Sequence, residues 1–178
     1  MLKLLFIVLS SAVLVSLTNL REELHTKLFS CFGEIPKSMS SEELTELGKT
    51  GKKIPEEFYS ILDFTPLSGG YIVPVGKVEK GNKVIILYLE VAGNEAYNSG
   101  KVSLTYKSIE KKSGEVYMSS HHLLDVGLDG DTQYSGSFEL QGDDFIIFKQ
   151  KSKESNGEIK NDISKYKFGR YLEFVSRD

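Results

Sequence analysis

His121-His122 with Asp125 three residues on is the densest set of chemistry-bearing side chains in the sequence. Two imidazoles and a carboxylate can bind zinc or pass a proton between them. Neighbouring side chains of an extended strand point to opposite faces, so both imidazoles reach one ion only where the backbone bends. The plain expectation is a pair of surface or half-buried histidines on a strand. The chemical alternative is an enzyme whose site is assembled from dispersed residues around His121, His122 and Asp125, the same three being the candidate metal ligands.

The other constellations carry less. Asp125, Asp129 and Asp131, with Gly127 and Gly130, offer oxygens to a hard cation such as calcium. The order of an EF-hand loop is not met, and a turn built on the backbone tolerance of Asp and Gly is expected instead. Asp143-Asp144 is read the same way, as a turn opening a strand. Gly48-Lys49-Thr50 has the end of a phosphate-binding loop, but Glu43 stands where that motif requires glycine and no strand precedes it. No Gly-x-Ser-x-Gly elbow occurs to mark a hydrolase. Cys31 and His25 could pair as thiol and base, yet both fall in a linker-like segment poorly suited to holding a site rigid. No cofactor motif is present.

Tyrosine is the remaining feature. Tyr71, Tyr88, Tyr97, Tyr106, Tyr117, Tyr134, Tyr166 and Tyr171 recur along the β-region of the chain. A ring with a polar tip serves sugar and protein contact surfaces, and it is also a good strand former.

The elements that must position these residues follow from periodicity. From Gly69 onward apolar and polar residues alternate with a period of two, with turn signals every eight to twelve residues, roughly the rhythm of an all-β sandwich or barrel. Tyr71 to Val78 and Lys83 to Val91 form a hairpin across Lys80-Gly81-Asn82. Ile85, Leu87, Leu89 and Val91 share one face of the second strand and Val84, Ile86 and Tyr88 the other, so that strand is expected to be covered on both sides, with helices as the cover. In Val102 to Ile109, Val102, Leu104 and Tyr106 are expected inward and Ser103, Thr105 and Lys107 toward water. Val116 to Ser120 and Leu123 to Val126 continue apolar. Tyr134, Gly136, Phe138 and Leu140 make the inward row of the next strand, Gly142-Asp143-Asp144 turns into Phe145 to Lys149, and the polar residues 150–161 read as a mobile loop. Strands near Ser164 to Phe168 and Tyr171 to Val175 complete about eight. The expected fold is mainly β, an antiparallel meander closed or nearly closed into a barrel, with a two-layer sheet as the alternative.

Residues 21–68 read as helices and linker. Ser40 or Ser41 caps a helix with an acidic first turn that ends by Gly51, and a second helix begins at Pro55 and stops before Pro66. Residues 1–20 have a signal-peptide profile: Lys3, an apolar run from Leu4 to Val15, then Ser16, Thr18 and Asn19. That run is shorter than a membrane span wants. Leu14-Val15-Ser16 resembles the approach to a lipidated cysteine, but Leu17 stands at the acceptor position, and Leu28-Phe29-Ser30-Cys31 is a second partial match set apart by charged residues. The chain thus divides into a signal peptide (1–20), a helical and linker segment (21–68) and an antiparallel β-domain (69–178).

Gly51-Lys52-Lys53-Ile54-Pro55-Glu56-Glu57-Phe58, then Ile61-Leu62-Asp63-Phe64, lead into Tyr71-Ile72-Val73-Pro74-Val75-Gly76-Lys77-Val78. This succession resembles a group of small exported or lipid-anchored proteins common in Bacteroidetes, in which a lipoprotein-type signal precedes a β-meander. The resemblance implies export and fold; no catalytic residue carries over from it.

The 178 residues carry a net charge of −3, with 22 basic residues scattered among 25 acidic ones, so no linear stripe matches a nucleic-acid backbone. One cysteine excludes an internal disulfide framework. Together these point to an exported, periplasmic or cell-envelope protein that acts as a noncatalytic binding or interaction module. Its partner would be a small molecule, a glycan or a protein, with membrane contact only through an uncleaved N-terminal segment or a lipid.

Overall fold

The computed structural model describes residues 22–66, 69–92 and 101–178, with residues 116–120 described by their backbone alone. The signal segment, the 94–100 connection and Tyr97 lie outside these residues. A first helix, α1, covers residues 22–30. It is followed by a two-residue strand β1 (Ser38–Met39), helix α2 (Ser41–Thr50) and a single 3-10 turn (Glu56–Phe58). Eight longer strands follow: β2 (Tyr71–Lys80), β3 (Lys83–Val91), β4 (Val102–Glu110), β5 (Val116–Asp129), β6 (Thr132–Gln141), β7 (Phe145–Lys153), β8 (Ile159–Phe168) and β9 (Leu172–Arg177). Each pairs with the next in an antiparallel meander.

The meander turns a corner within β5. Residues up to Val126 pair with β4, whereas Gly127, Leu128 and Asp129 pair with β6. Gly127, at φ 108°, supplies a backbone conformation that a residue with a Cβ adopts only under strain. Beyond the corner the same face of the chain turns back on itself. Val73, Ile85, Leu87, Leu104, Tyr106 and Leu124 of the first half share one core with Phe138, Ile146, Phe148, Phe168 and Leu172 of the second.

Helix α2 adds Leu44 to that core. Its start is fixed by a capping box, in which the Ser40 hydroxyl accepts from the Glu43 amide and the Glu43 carboxylate accepts from the Ser40 amide. Ser41 Oγ donates to the Gly136 carbonyl and accepts from the Gly136 amide, pinning the helix to β6.

The opposite face of β2–β4 carries a second core. Ile72, Val84, Ile86, Tyr88 and Ile109 pack there under Leu28 and Phe32, which flank the end of α1, and Ile54, Phe58, Tyr59 and Leu62 from the 3-10 segment. Strand β3 is therefore buried on both sides, as its unbroken apolar run requires.

Several expectations need correction. Thr105 and Lys107 do not face water: both are buried, because the helical segment covers β4 as well as β3. Lys107 is tolerated there because Nζ donates to Asp63 Oδ2 at 2.5 Å, the aspartate itself standing at the protein surface. Residues 150–161 are not a loop. Strands β7 and β8 run on to Lys153 and back from Ile159 around a tight turn, with Gly157 at φ 85°. Ladder hydrogen bonds and the pairing of Lys160 with Glu154 and Glu158 hold this projecting hairpin, which needs no apolar core. The helix expected at Pro55 is one 3-10 turn, and the segment holding His25 is helical and packed.

The sheet does not close into a barrel, since β2 and β9 have no ladder between them. Residues 33–39 span part of the seam instead. Gly33 and Glu34 bond the free edge of β2 at Lys77, and Ser38 and Met39 pair with Glu139 and Phe138 on β6.

Candidate functional site

Strand β5 determines where the sequence candidates point. Its ladder with β4 slips between Leu104 and Thr105, between Tyr106 and Ser108, and between Ser108 and Ile109, each time with an extra residue on β5. Such bulges re-aim side chains. Three residues apart in a regular strand, His122 and Asp125 would face opposite ways; the bulge between Thr105 and Leu104 places both on the outer face. His122 Nε2 donates to Asp125 Oδ1 at 2.8 Å. His121 turns to the inner face, where its ring meets Tyr106 edge-on at 5.6 Å between centroids. The structure thus joins His122 to Asp125 and separates both from His121.

The His122–Asp125 pair lies in a polar cluster. Ser103 Oγ donates to the same Asp125 oxygen at 2.6 Å, and Lys101 Nζ lies 3.4 Å from the other. Burial would raise the Asp125 carboxyl, but hydrogen bonds from His122 and Ser103 and the charges of His122 and Lys101 outweigh it and hold it below its ordinary range. Burial pushes the neighbouring Glu90 up, against a hydrogen bond with Thr105 and the charge of His122. Ser103 and His122 both donate to the carboxylate and do not bond each other, so no hydroxyl is presented to a base in the manner of a nucleophile–histidine–acid triad.

The remaining candidates resolve by the same accounting. Lys101 Nζ lies 2.7 Å from Asp129 as well as near Asp125, so an ammonium occupies the place a cation would take between them. Among the described residues no group of three or more His, Cys, Asp or Glu is placed to hold a metal ion. Asp143 and Asp144 tie a surface turn to Lys80. Gly48 is buried against Val102 in the last turns of α2, far from the open geometry a phosphate loop needs. Cys31 donates weakly to the Lys27 carbonyl, and burial raises its thiol, which opposes a reactive thiolate. His25 is buried on Phe29 and over Gly114.

What the sequence did not single out is an open cleft of about 580 Å³ where the two halves of the meander diverge. It is lined by Tyr106 and His121 from the first half and by Tyr166, Tyr171, Phe174 and Arg177, among others, from the second. Phe174 is 59 % exposed and meets Tyr166 edge-on at 5.7 Å; Tyr166 meets Phe148 in the core at 5.6 Å. The aromatic chain therefore runs from the interior to the surface. The Tyr106 hydroxyl reaches the Leu172 carbonyl at 3.4 Å, and burial pushes its phenol up to about 12. Arg177 is held by Asp162. Of the tyrosines, Tyr106, Tyr166 and Tyr171 converge here, while Tyr71 and Tyr88 bond backbone carbonyls of Gly48 and Leu62. The inward parity of Tyr106 was readable in the sequence, but the corner at Gly127 that brings β8 and β9 opposite β4 was not.

Set against known protein families, curated proteins and solved structures, the chain matches none. Among the described residues no helix is long and apolar enough to cross a membrane.

Proposed function

We propose that this protein is an exported, noncatalytic binding module whose aromatic cleft takes a saccharide or a similar small ligand with one apolar face and a hydroxylated edge. The carrying observation is the solvent-open ring of Phe174, backed by Tyr166 and flanked by Tyr171 and His121. Aromatic faces accept the C–H face of a sugar ring, while phenol and imidazole tips and Arg177 supply hydrogen bonds. Export rests on the signal-peptide profile of residues 1–20 and on the resemblance to exported β-meander proteins. The seam made by residues 33–39 supports reading the fold as a nearly closed barrel with its mouth at the cleft. A glycan array probed with wild type and with Phe174→Ala tests the binding reading. Retention of one glycan class that the variant loses supports it, and absence of glycan binding by wild type refutes it.

A second reading, an enzyme centred on His122 and Asp125, is favoured by their 2.8 Å hydrogen bond beside Glu90, whose carboxyl is raised. His121 has no part in it. If His122→Ala and Asp125→Asn leave every measured turnover unchanged, this reading fails.

A further inference from the structure

The outer face of β7 and β8 sorts charge in a way the linear sequence conceals. Residues 145–167 interleave Lys with Asp, Glu and Ser, but alternate side chains of a strand go to opposite faces. The register places five cross-strand pairs on the outer face: Phe145 with Lys167, Ile147 with Lys165, Lys149 with Ile163, Lys151 with Asn161, and Lys153 with Ile159. Four of the five set a lysine opposite an isoleucine or phenylalanine, and none of the ten residues is acidic. On the flanking strands the same face adds Ser135, Ser137, Glu139 and Gln141 from β6, Glu173 from β9, and Asp178, which exchanges both backbone hydrogen bonds with Ile163, so three acidic side chains stand against five lysines. Glu139 meets Lys149 at 3.3 Å. In a chain of net charge −3, this face is locally cationic.

The aliphatic members are open to solvent, with Ile159 at 50 % and Ile163 at 41 % exposure. Neither core cluster reaches this face; α1 and the 3-10 segment pack on the other half of the meander, while β1 and the start of α2 meet only β6 at its border. Lys165 shows how the face works: its Nζ lies 4.5 Å over the Phe145 ring and donates to Gln141, with the stem along apolar surface and the ammonium outward.

We propose that the outer face of β7–β8 docks this protein onto the surface of a bilayer containing anionic phospholipid. Alternation of lysine and isoleucine across the two-stranded ribbon lets short aliphatic side chains enter the headgroup layer while the ammonium groups meet phosphates. The chemistry discriminates against other anions. The ten residues contain no arginine for bidentate phosphate recognition, and the one aromatic ring is already covered by Lys165, which leaves no platform for stacked bases. This surface is separate from the aromatic cleft and does not depend on it.

Vesicle co-sedimentation of the full chain tests the proposal, using phosphatidylcholine vesicles against vesicles carrying about one-third phosphatidylglycerol, at low and at high salt. Residues 1–20 could insert into either vesicle, so the readout is the difference between the two. Wild type is expected to partition at least about tenfold more strongly onto the anionic vesicles, and high salt should erase the preference. Lys151→Glu with Lys153→Glu changes two lysines whose ammonium groups face solvent, and should cut anionic partitioning about thirtyfold with the circular dichroism spectrum unchanged. Ile159→Ser with Ile163→Ser should weaken it while preserving the salt dependence. Equal partitioning of wild type onto both vesicles overturns the proposal. So does binding to polyglutamate or to single-stranded DNA with no preference for anionic vesicles, or a double charge reversal that binds as wild type does.

Discussion

Strands β3 and β7 each have a hydrogen-bonded neighbour on either side, yet β3 is buried on both faces and β7 on one. In β3 both parities are apolar, and the chain supplies a helix and a 3-10 segment to cover the second face. In β7 the even positions, Ile146 and Phe148, enter the core, while the odd ones run from Phe145 and Ile147 into Lys149, Lys151 and Lys153. The contrast separates two uses of a sheet in one molecule. The first half is scaffold on both sides, whereas the second half spends one face on the core and leaves the other free for contact.

The contrast breaks most visibly at the core. Leu87→Ala in β3 is expected to cost about 2–5 kcal/mol, whereas Ile163→Ala on the outer face of β8 should stay within about 0.5 kcal/mol. Urea denaturation of the two variants compares them directly. Next in size is the seam. A Cβ at Gly76 would lie 2.6 Å from Ile35 Cα and 2.8 Å from the Glu34 carbonyl oxygen, which backbone cannot yield cheaply. Gly76→Ala should therefore destabilise by about 1–3 kcal/mol and remove hydrogen-exchange protection at the Lys77 amide.

The buried cation sharpens the comparison from the polar side. Asp63→Asn leaves Lys107 charged under the helical cover and should cost about 1–3 kcal/mol, while Lys107→Met, which leaves Asp63 in solvent, should cost less. Asparagine also tolerates the left-handed backbone of Asp63, at φ 52°, so the difference reads charge.

Two titrations bracket the stability profile. Asp125 is held below its ordinary value of 3.8, so its contribution is complete above that range and is lost as pH falls through the folded value. Tyr106 runs the other way: raised from 10.0 to about 12, it contributes fully below pH 10 and loses that contribution as pH rises toward 12. Asp125→Asn should flatten the acid limb and Tyr106→Phe the alkaline limb of a melting-temperature series against pH. The smallest effect belongs to the hairpin tip. Gly157→Ala, at φ 85°, should cost about 1 kcal/mol or less and speed amide exchange only around residues 154–158.

The two halves were also unequally legible in the sequence. β3 announced its double burial through Val84 to Leu89, and Ser40 with Glu43 announced α2. The reading went wrong at Lys107 because whether an alternating strand faces water depends on what packs over it, and the cover comes from residues 22–64, far away in sequence. It went wrong at 150–161 because strands without an apolar row give no periodic signal, although backbone pairing and Lys–Glu contacts suffice to extend a hairpin. At the candidate site, the separation of His121 from His122 followed from strand geometry alone. The contact of His122 with Asp125 did not, because it depends on a bulge that no residue type in β5 marks. The cleft was hidden for a similar reason, since Tyr106 and Tyr166 share it only after the corner at Gly127.

The central claim, that ligand enters between the two halves at the aromatic mouth, is tested most directly by amide chemical-shift mapping during titration of the full chain with a glycan retained on the array. Shifts gathered at Tyr106, His121, Tyr166, Tyr171 and Phe174, with Ser103, His122 and Asp125 unmoved, are the predicted result. Shifts confined to His122, Asp125 and their neighbours would contradict it.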